Sequence, residues 1–245
     1  PDAPTDAEVK AAVSLLLDDW LADVLFASDE DRTAFLAYLI TRATRGWYPV
    51  VPLCVINGLD KGVGKGLLAD LSNRVFTGSA PDLLGMSDQE EEQRKLVTSL
   101  LLGAPESVVF DEHHVIGGKV LARLMTAVTW SDRVLGVSRQ AMLPNSATWL
   151  SLGNNVAIQD DMIRRYYQVR LETDSATPYT REVSSFRHRD ITGWTEGNRG
   201  RLLSAVLTLV KAWIVRGRPS GVVNVAMGSF EGWQRVVEGV LRVAG

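Results

Sequence analysis

The chain has 245 residues, 46% of them hydrophobic and 22% charged, with 26 Lys and Arg against 29 Asp and Glu. That suffices to bury one large core with a small appendage, and the composition excludes a disordered, fibrous or disulfide-stapled protein. A net charge of −3 excludes a general basic coat, while leaving room for a local patch, or a channel formed on assembly, that holds nucleic acid. The one cysteine, Cys54, sits in an apolar run, so it reads as core and points to a reducing compartment, the cytoplasm. No secretory signal opens the chain, and "LLSAVLTLVKAWIV" is too short to span a bilayer and carries Lys211. The missing initiator Met and the opening "PDAPTDAEVK" suggest a piece of a longer polypeptide.

Apolar positions at helical spacing predict helices from about Thr5 to Ala27 and from about Glu30 to Arg45, with "SDED" supplying an N-cap between them. "VPLCVIN" has the length and β-branched content of a buried strand and runs into glycine-rich sequence, after which "KGLLADLSNRVF" returns to helical spacing. "SDQEEEQRKLVTSLLLGA" predicts a helix capped by Ser87 or Asp88, with Leu96, Val97, Leu100 and Leu101 buried. "SVVFDE" is a second buried strand, and "GKVLARLMTAVTW" a helix with Val120, Leu121, Leu124, Met125 and Val128 on one side. Strands "RVLGVS" and "TWLSLG" flank "RQAMLPNS", as in an antiparallel hairpin or a long connection. "YYQVRLE" is a further strand, and two helices follow, marked by Leu202, Leu203, Val206, Leu207 and Val210, then by Phe230, Trp233, Val237, Val240 and Leu241. Alternating strands and helices closed by helices predict a three-layer α/β core with a small α-helical lid.

"GLDKGVGKGLL" lies between the first strand and its helix, where a phosphate-binding loop belongs. In such a loop, backbone N–H groups curl round the anion, a helix N-terminus faces it, and a lysine reaches the β and γ phosphates. Asp60, Lys61, Gly62, Val63, Gly64, Lys65, Gly66 and Leu67 form the candidate nucleotide-binding stretch, with Lys65 the reaching lysine. Against the pattern G-x-x-x-x-G-K-[ST] two positions depart: Leu59 replaces the first glycine and Gly66 the hydroxyl that coordinates Mg²⁺. Leu59 is tolerable with ordinary backbone angles. Without the hydroxyl, Mg²⁺ must be held by phosphate oxygens, waters and a carboxylate.

Three further groups complete a hydrolytic set. "VVFDE" delivers Asp111 and Glu112 to a strand end, one carboxylate for the metal and one to polarise the attacking water. In "WLSLGNN", Asn154 or Asn155 can hydrogen-bond that water or the γ phosphate, although Asn-Asn is also ordinary turn sequence. Arg164 and Arg165 precede "YYQVRLE", and an arginine entering a neighbouring subunit's site accelerates phosphoryl transfer by on the order of 10³ to 10⁵. His113 and His114 lack the spacing and partners of zinc ligands.

The ordered set "GVGKG", "VVFDE", "SLGNN" and "IRRYYQVRL" resembles an AAA+ ATPase, and more narrowly the superfamily 3-like helicase modules of phage, plasmid and integrated-element replication proteins, often fused to primases. The resemblance covers roughly Tyr48 to Gly245. It implies ATP and Mg²⁺ as cofactors, Lys65 as the Walker A lysine, and Asp111, at the metal, with Glu112 as the Walker B pair. It further implies Asn154 as sensor 1, Arg164 or Arg165 as a finger acting in trans, and Arg133 and Arg139 as second-rank candidates. The segment between Arg133 and Gly153 would be a pre-sensor 1 hairpin, with Arg139 as the charge at its tip that meets DNA. Arg199 and Arg201 are possible sensor 2 residues, though solvated helix-face arginines explain them better.

The expected organisation is an N-terminal helical segment, 1–47, an AAA+ P-loop ATPase core, 48–182, and a C-terminal helical lid, 183–245. The expected function is an ATP-dependent, ring-forming, hexameric homo-oligomer that moves single-stranded or duplex DNA in replication of a phage or mobile element, without a membrane partner. An ATP-binding scaffold or loader with little turnover is the main alternative, on the strength of Gly66. A small-molecule kinase is weaker, because Leu67 stands where such loops carry threonine.

Overall fold

A computed structural model describes residues 3–59, 62–133, 140–173, 182–220 and 227–245. Thr5 opens helix α1 (Asp6–Ser14) with a capping box: its hydroxyl accepts the Glu8 N–H, and the Glu8 carboxylate accepts the Thr5 N–H. The helix widens into one π-helical turn, Leu15–Trp20, and so ends earlier than the expected Ala27. Ser28 caps α2 (Asp29–Thr44) by accepting from Asp31 N–H, as "SDED" implies. Strand β1 (Leu53–Gly58) follows, then α3 (Lys65–Thr77), the short β2 (Leu83–Leu84), α4 (Glu90–Leu102) and β3 (Ser107–Ile116). After α5 (Lys119–Thr126) come β4 (Thr129–Arg133), β5 (Gln140–Pro144), β6 (Thr148–Ile158) and β7 (Tyr166–Leu171); α6 (Ile191–Val215) and α7 (Glu231–Ala244) close the chain.

The core is a five-stranded parallel sheet in the order β2-β3-β6-β1-β7, with helices on both faces. This is the three-layer α/β architecture of a P-loop NTPase-like core. β1 lies inside the sheet between β6 and β7, and Leu53, Cys54, Val55 and Ile56 are all buried, which is why they read as an unbroken apolar run. β6 separates β1 from β3, so the glycine-rich loop and the Asp111–Glu112 pair lie two strand spacings apart, about 10 Å.

Three expectations need correction. The N-cap of α4 is Gln89, not Ser87 or Asp88; Ser87 instead accepts the Gln89 N–H from outside the helix. Val128 lies beyond α5 and is exposed, because the Asn145 side chain donates to the carbonyls of Leu124 and Ala127 and ends the helix there. The antiparallel hairpin pairs β4 with β5, so "TWLSLG" joins the main sheet instead and most of the expected tip "RQAMLPNS" is strand; residues 134–139, with most of "RVLGVS" and Arg139, lie outside the described residues.

The helices from the two ends of the chain pack on one another. The buried Trp20 indole donates to Thr195 on α6 at 2.9 Å, and Trp233 on α7 donates to Thr41 on α2 at 2.8 Å. Asp31 at the start of α2 is 3% exposed and accepts both the backbone N–H and the guanidinium of Arg170, fixing the helix to β7. Among the described residues no helix is long and apolar enough to cross a membrane.

Candidate functional site

β1 ends at Gly58, and the chain turns through Gly62 (φ 82°) and Gly64 (φ 95°) before α3 begins at Lys65. Both angles lie in the left-handed region that only glycine enters without strain. No described side chain caps α3, so its first amides face the turn, the arrangement that suits an anion. Leu59 is not among the positive-φ residues, which removes the need for glycine at that position. It is held on both sides, its N–H donating to Leu171 and its carbonyl accepting from the Asn155 side chain at 3.0 Å. Val63 is buried beneath the turn, while Asp60 and Lys61 lie outside the described residues. A Cβ on Gly66 would meet nothing within 4 Å.

The Lys65 ammonium donates to Asn154 Oδ1 at 2.5 Å. Burial lowers its pKa, and the charge of Asp111 opposes that shift, so the acid on β3 acts on the lysine of α3. Asn154 stands in register with Gly58, at the end of β1. Its neighbour Asn155 (φ 46°) turns to the carbonyl of Leu59 instead. The pair that the sequence leaves ambiguous therefore splits, with Asn154 at the lysine and Asn155 bracing the loop.

Asp111 and Glu112 sit in a bulge of β3. Between the pairs Phe110–Ser151 and His113–Gly153, two residues of β3 oppose the single Leu152 of β6. Glu112 takes φ 59°, a strained backbone for a non-glycine residue, and its N–H donates to Asp111 Oδ1 at 2.8 Å. Asp111 is half-buried and Glu112 exposed. Among the described residues no group of three or more His, Cys, Asp or Glu is arranged to hold a metal by itself.

No family model and no curated protein matches the sequence. Among solved structures, the C-terminal region of NrS-1 is similar at 16% identity and a TM-score of 0.47, over 84% of this chain and 48% of that one. JCV helicase, solved with a thiazolopyridine compound bound, is similar at 16% identity and a TM-score of 0.39, over 97% of this chain and 68% of that one. The chain thus spans about half the length of the NrS-1 region that it matches. At this distance neither likeness bears on what the chain does, and the geometry has to speak for itself.

The two arginines before β7 do not join the loop of their own chain. Leu53 pairs with Tyr166, and its N–H donates to the Arg165 carbonyl, so both arginines sit at the end of β1 opposite to Gly58. Five residues of strand separate those ends, about 17 Å. Arg165 turns inward, its guanidinium donating to the Asp161 carbonyl, whereas Arg164 is exposed. Arg199 donates to the carbonyls of Val75 and Phe76 at the end of α3, and Arg201 to the Asn198 side chain.

A cavity of about 290 Å³ adjoins the turn, and the sequence did not announce it. Gly62 and Gly64 of the turn, Leu67 and Leu71 of α3, Trp20 and Val24, and Phe186 and His188 line it. Its residues come from three distant stretches of chain and share no motif. Their one local signal is the exposed Leu67 in the first turn of α3, an apolar side chain beside a polar loop.

Proposed function

We propose that the chain is an ATP-binding and ATP-hydrolysing domain whose turnover drives movement along DNA. The observation that carries the reading is the juxtaposition of Lys65, Asn154 and Asp111 beside an uncapped helix start and two left-handed glycines. A nucleotide's phosphates would lie along the turn against the amides of α3, with Lys65 leaving Asn154 to bind them; Asp111 with water would hold a Mg²⁺, which when bound would draw charge from the phosphates. Glu112 orients the attacking water and takes its proton, and Asn154, once released, holds the same water or the γ phosphate in line. The adjoining cavity takes the base, its apolar lining, with Trp20 and Phe186, offering contact area to a planar ring.

Arg164 supplies the remaining positive charge from a neighbouring copy. It is exposed and far from its own loop, whereas Arg165 is engaged within its own chain. This favours a homo-oligomeric ring, with a hexamer as the arrangement that the resemblance implies. The β4–β5 hairpin presents Arg133 at its end and Met142 exposed on β5, a surface on which the DNA strand is gripped.

Mixing tests this reading. Arg164→Ala protein, inactive alone, is titrated into Lys65→Ala protein, which is also inactive. Restored turnover in the mixture supports sites shared between copies. An Arg164→Ala chain as active as the parent removes the trans role. The scaffold alternative has its own observation in Gly66, and it is upheld if nucleotide assembles the protein without turnover.

A further inference from the structure

The cavity beside the phosphate loop is walled by two segments that are remote in sequence, and they are tied together along its edge. One is the π-helical turn and the residues after it, which contribute Trp20, Val24 and Leu25; the other is the strap of residues 186–190 leading into α6, which contributes Phe186, His188 and Arg189. Asp19 does not line the cavity, yet its Oδ1 accepts from Arg187 Nε at 2.6 Å and lies 3.1 Å from His188 Nε2. Asp23, which does line the cavity, accepts the Arg187 backbone N–H at 2.7 Å, a second tie that changes at Asp19 leave in place. The His188 ring stacks on Trp194 of α6, with centroids 4.1 Å apart, so one carboxylate holds both the exposed edge and the cavity-lining residue of the strap. At its far end the strap meets the capped start of α6, where Asp190 accepts the Gly193 N–H.

That construction is rigid at one end and ionic at the other. A capped helix start does not move without losing its cap, whereas a part-exposed ion pair is worth little and breaks readily. The loop side is braced by comparison, through the Asn155–Leu59 and Asn57–Val156 hydrogen bonds. The hinge therefore lies at Asp190 and the catch at Asp19.

We propose that Asp19 is the latch of this strap, a positioning residue, and that its release opens the base cavity for nucleotide exchange while the phosphate loop stays in place. The proposal rests on the reading of the cavity as a base site.

The test uses the full chain and the fluorescent nucleotide mant-ADP, chased with excess ADP in a stopped-flow instrument. Asp19→Asn and Arg187→Gln each raise the release rate by about 3- to 10-fold, the range that a small ionic network supports. The double variant is no faster than Asp19→Asn alone, because that change already removes the interaction that Arg187→Gln removes. Arg32→Gln is the control: it loosens the same turn at Asp18 and Leu17 without touching the strap, and leaves the rate unchanged. Release that is unaltered in the latch variants, additive in the double variant, or equally raised by Arg32→Gln overturns the latch while leaving the base site standing. A parent chain that binds no mant-ADP overturns the base site and the latch with it.

Discussion

Under the proposed function, Gly66 would set how the loop shares a metal with the phosphates. Nothing lies within 4 Å of a Cβ there, so a side chain can leave the backbone at this position without an immediate clash. Gly66→Thr is therefore expected to fold as the parent does and to raise the apparent Mg²⁺ affinity of turnover several-fold, read from hydrolysis rates across a Mg²⁺ titration. Gly64 behaves in the opposite way. Its φ of 95° is strained for any L side chain, and Gly64→Ala costs about 1–2 kcal/mol and spoils nucleotide binding, to be measured by titration with mant-ATP. Cys54 makes a third residue-scale prediction: burial pushes its thiol up to about 12, so a thiol reagent at neutral pH modifies it only in denaturant. The core reading of Cys54 was legible in the sequence because its neighbours are all apolar. The division between Asn154 and Asn155 was not, since it depends on which of two adjacent amides reaches a lysine 89 residues earlier.

At the scale of elements, the strand, turn and helix around Lys65 were readable because local chemistry writes them: an apolar run, glycines, then helical spacing. The hairpin was misread. β4 is "TWSDR", with Trp130 and Asp132 buried, and a buried aspartate is not a strand signal. It is stabilised from outside by α4, whose Arg94 makes a two-pronged pair with Asp132 at 2.6 and 2.9 Å, and by the Trp130 indole donating to Thr98. The Arg94 hydrogen bonds hold the Asp132 carboxyl below the usual carboxylate range against the opposing effect of burial. A depressed carboxylate favours the fold at pH values above its unfolded pKa, and this contribution disappears as pH falls through the folded pKa. Asp132→Asn should therefore flatten the acid limb of a plot of stability against pH, with less loss relative to the parent at low pH than at neutral pH, as read from urea midpoints. An acid limb of equal steepness in both proteins would assign the pH dependence elsewhere.

For the molecule as a whole, the parallel sheet and its covering helices follow from alternation of strand and helix patterns, so the architecture was within reach of the sequence. The cavity was not, because it is assembled from three stretches far apart in the chain. Nor was the joint between the terminal helices, which rests on single side chains such as Trp20 and Thr195. Thr195→Val keeps the shape and leaves the buried indole N–H without its acceptor, at a cost of about 1–3 kcal/mol in denaturant unfolding. Because that joint also forms one wall of the cavity, the variant should weaken mant-ATP binding as well as stability.

The most direct measurement is steady-state ATP hydrolysis by the parent chain, Lys65→Ala and Glu112→Gln, each with and without single-stranded DNA and at two salt concentrations. The account predicts turnover that DNA stimulates, that salt suppresses as phosphate contacts are screened, and that both substitutions abolish, with ATP still bound by Glu112→Gln. A parent chain that binds ATP yet shows no turnover under any condition, or turnover that survives Glu112→Gln, would contradict it.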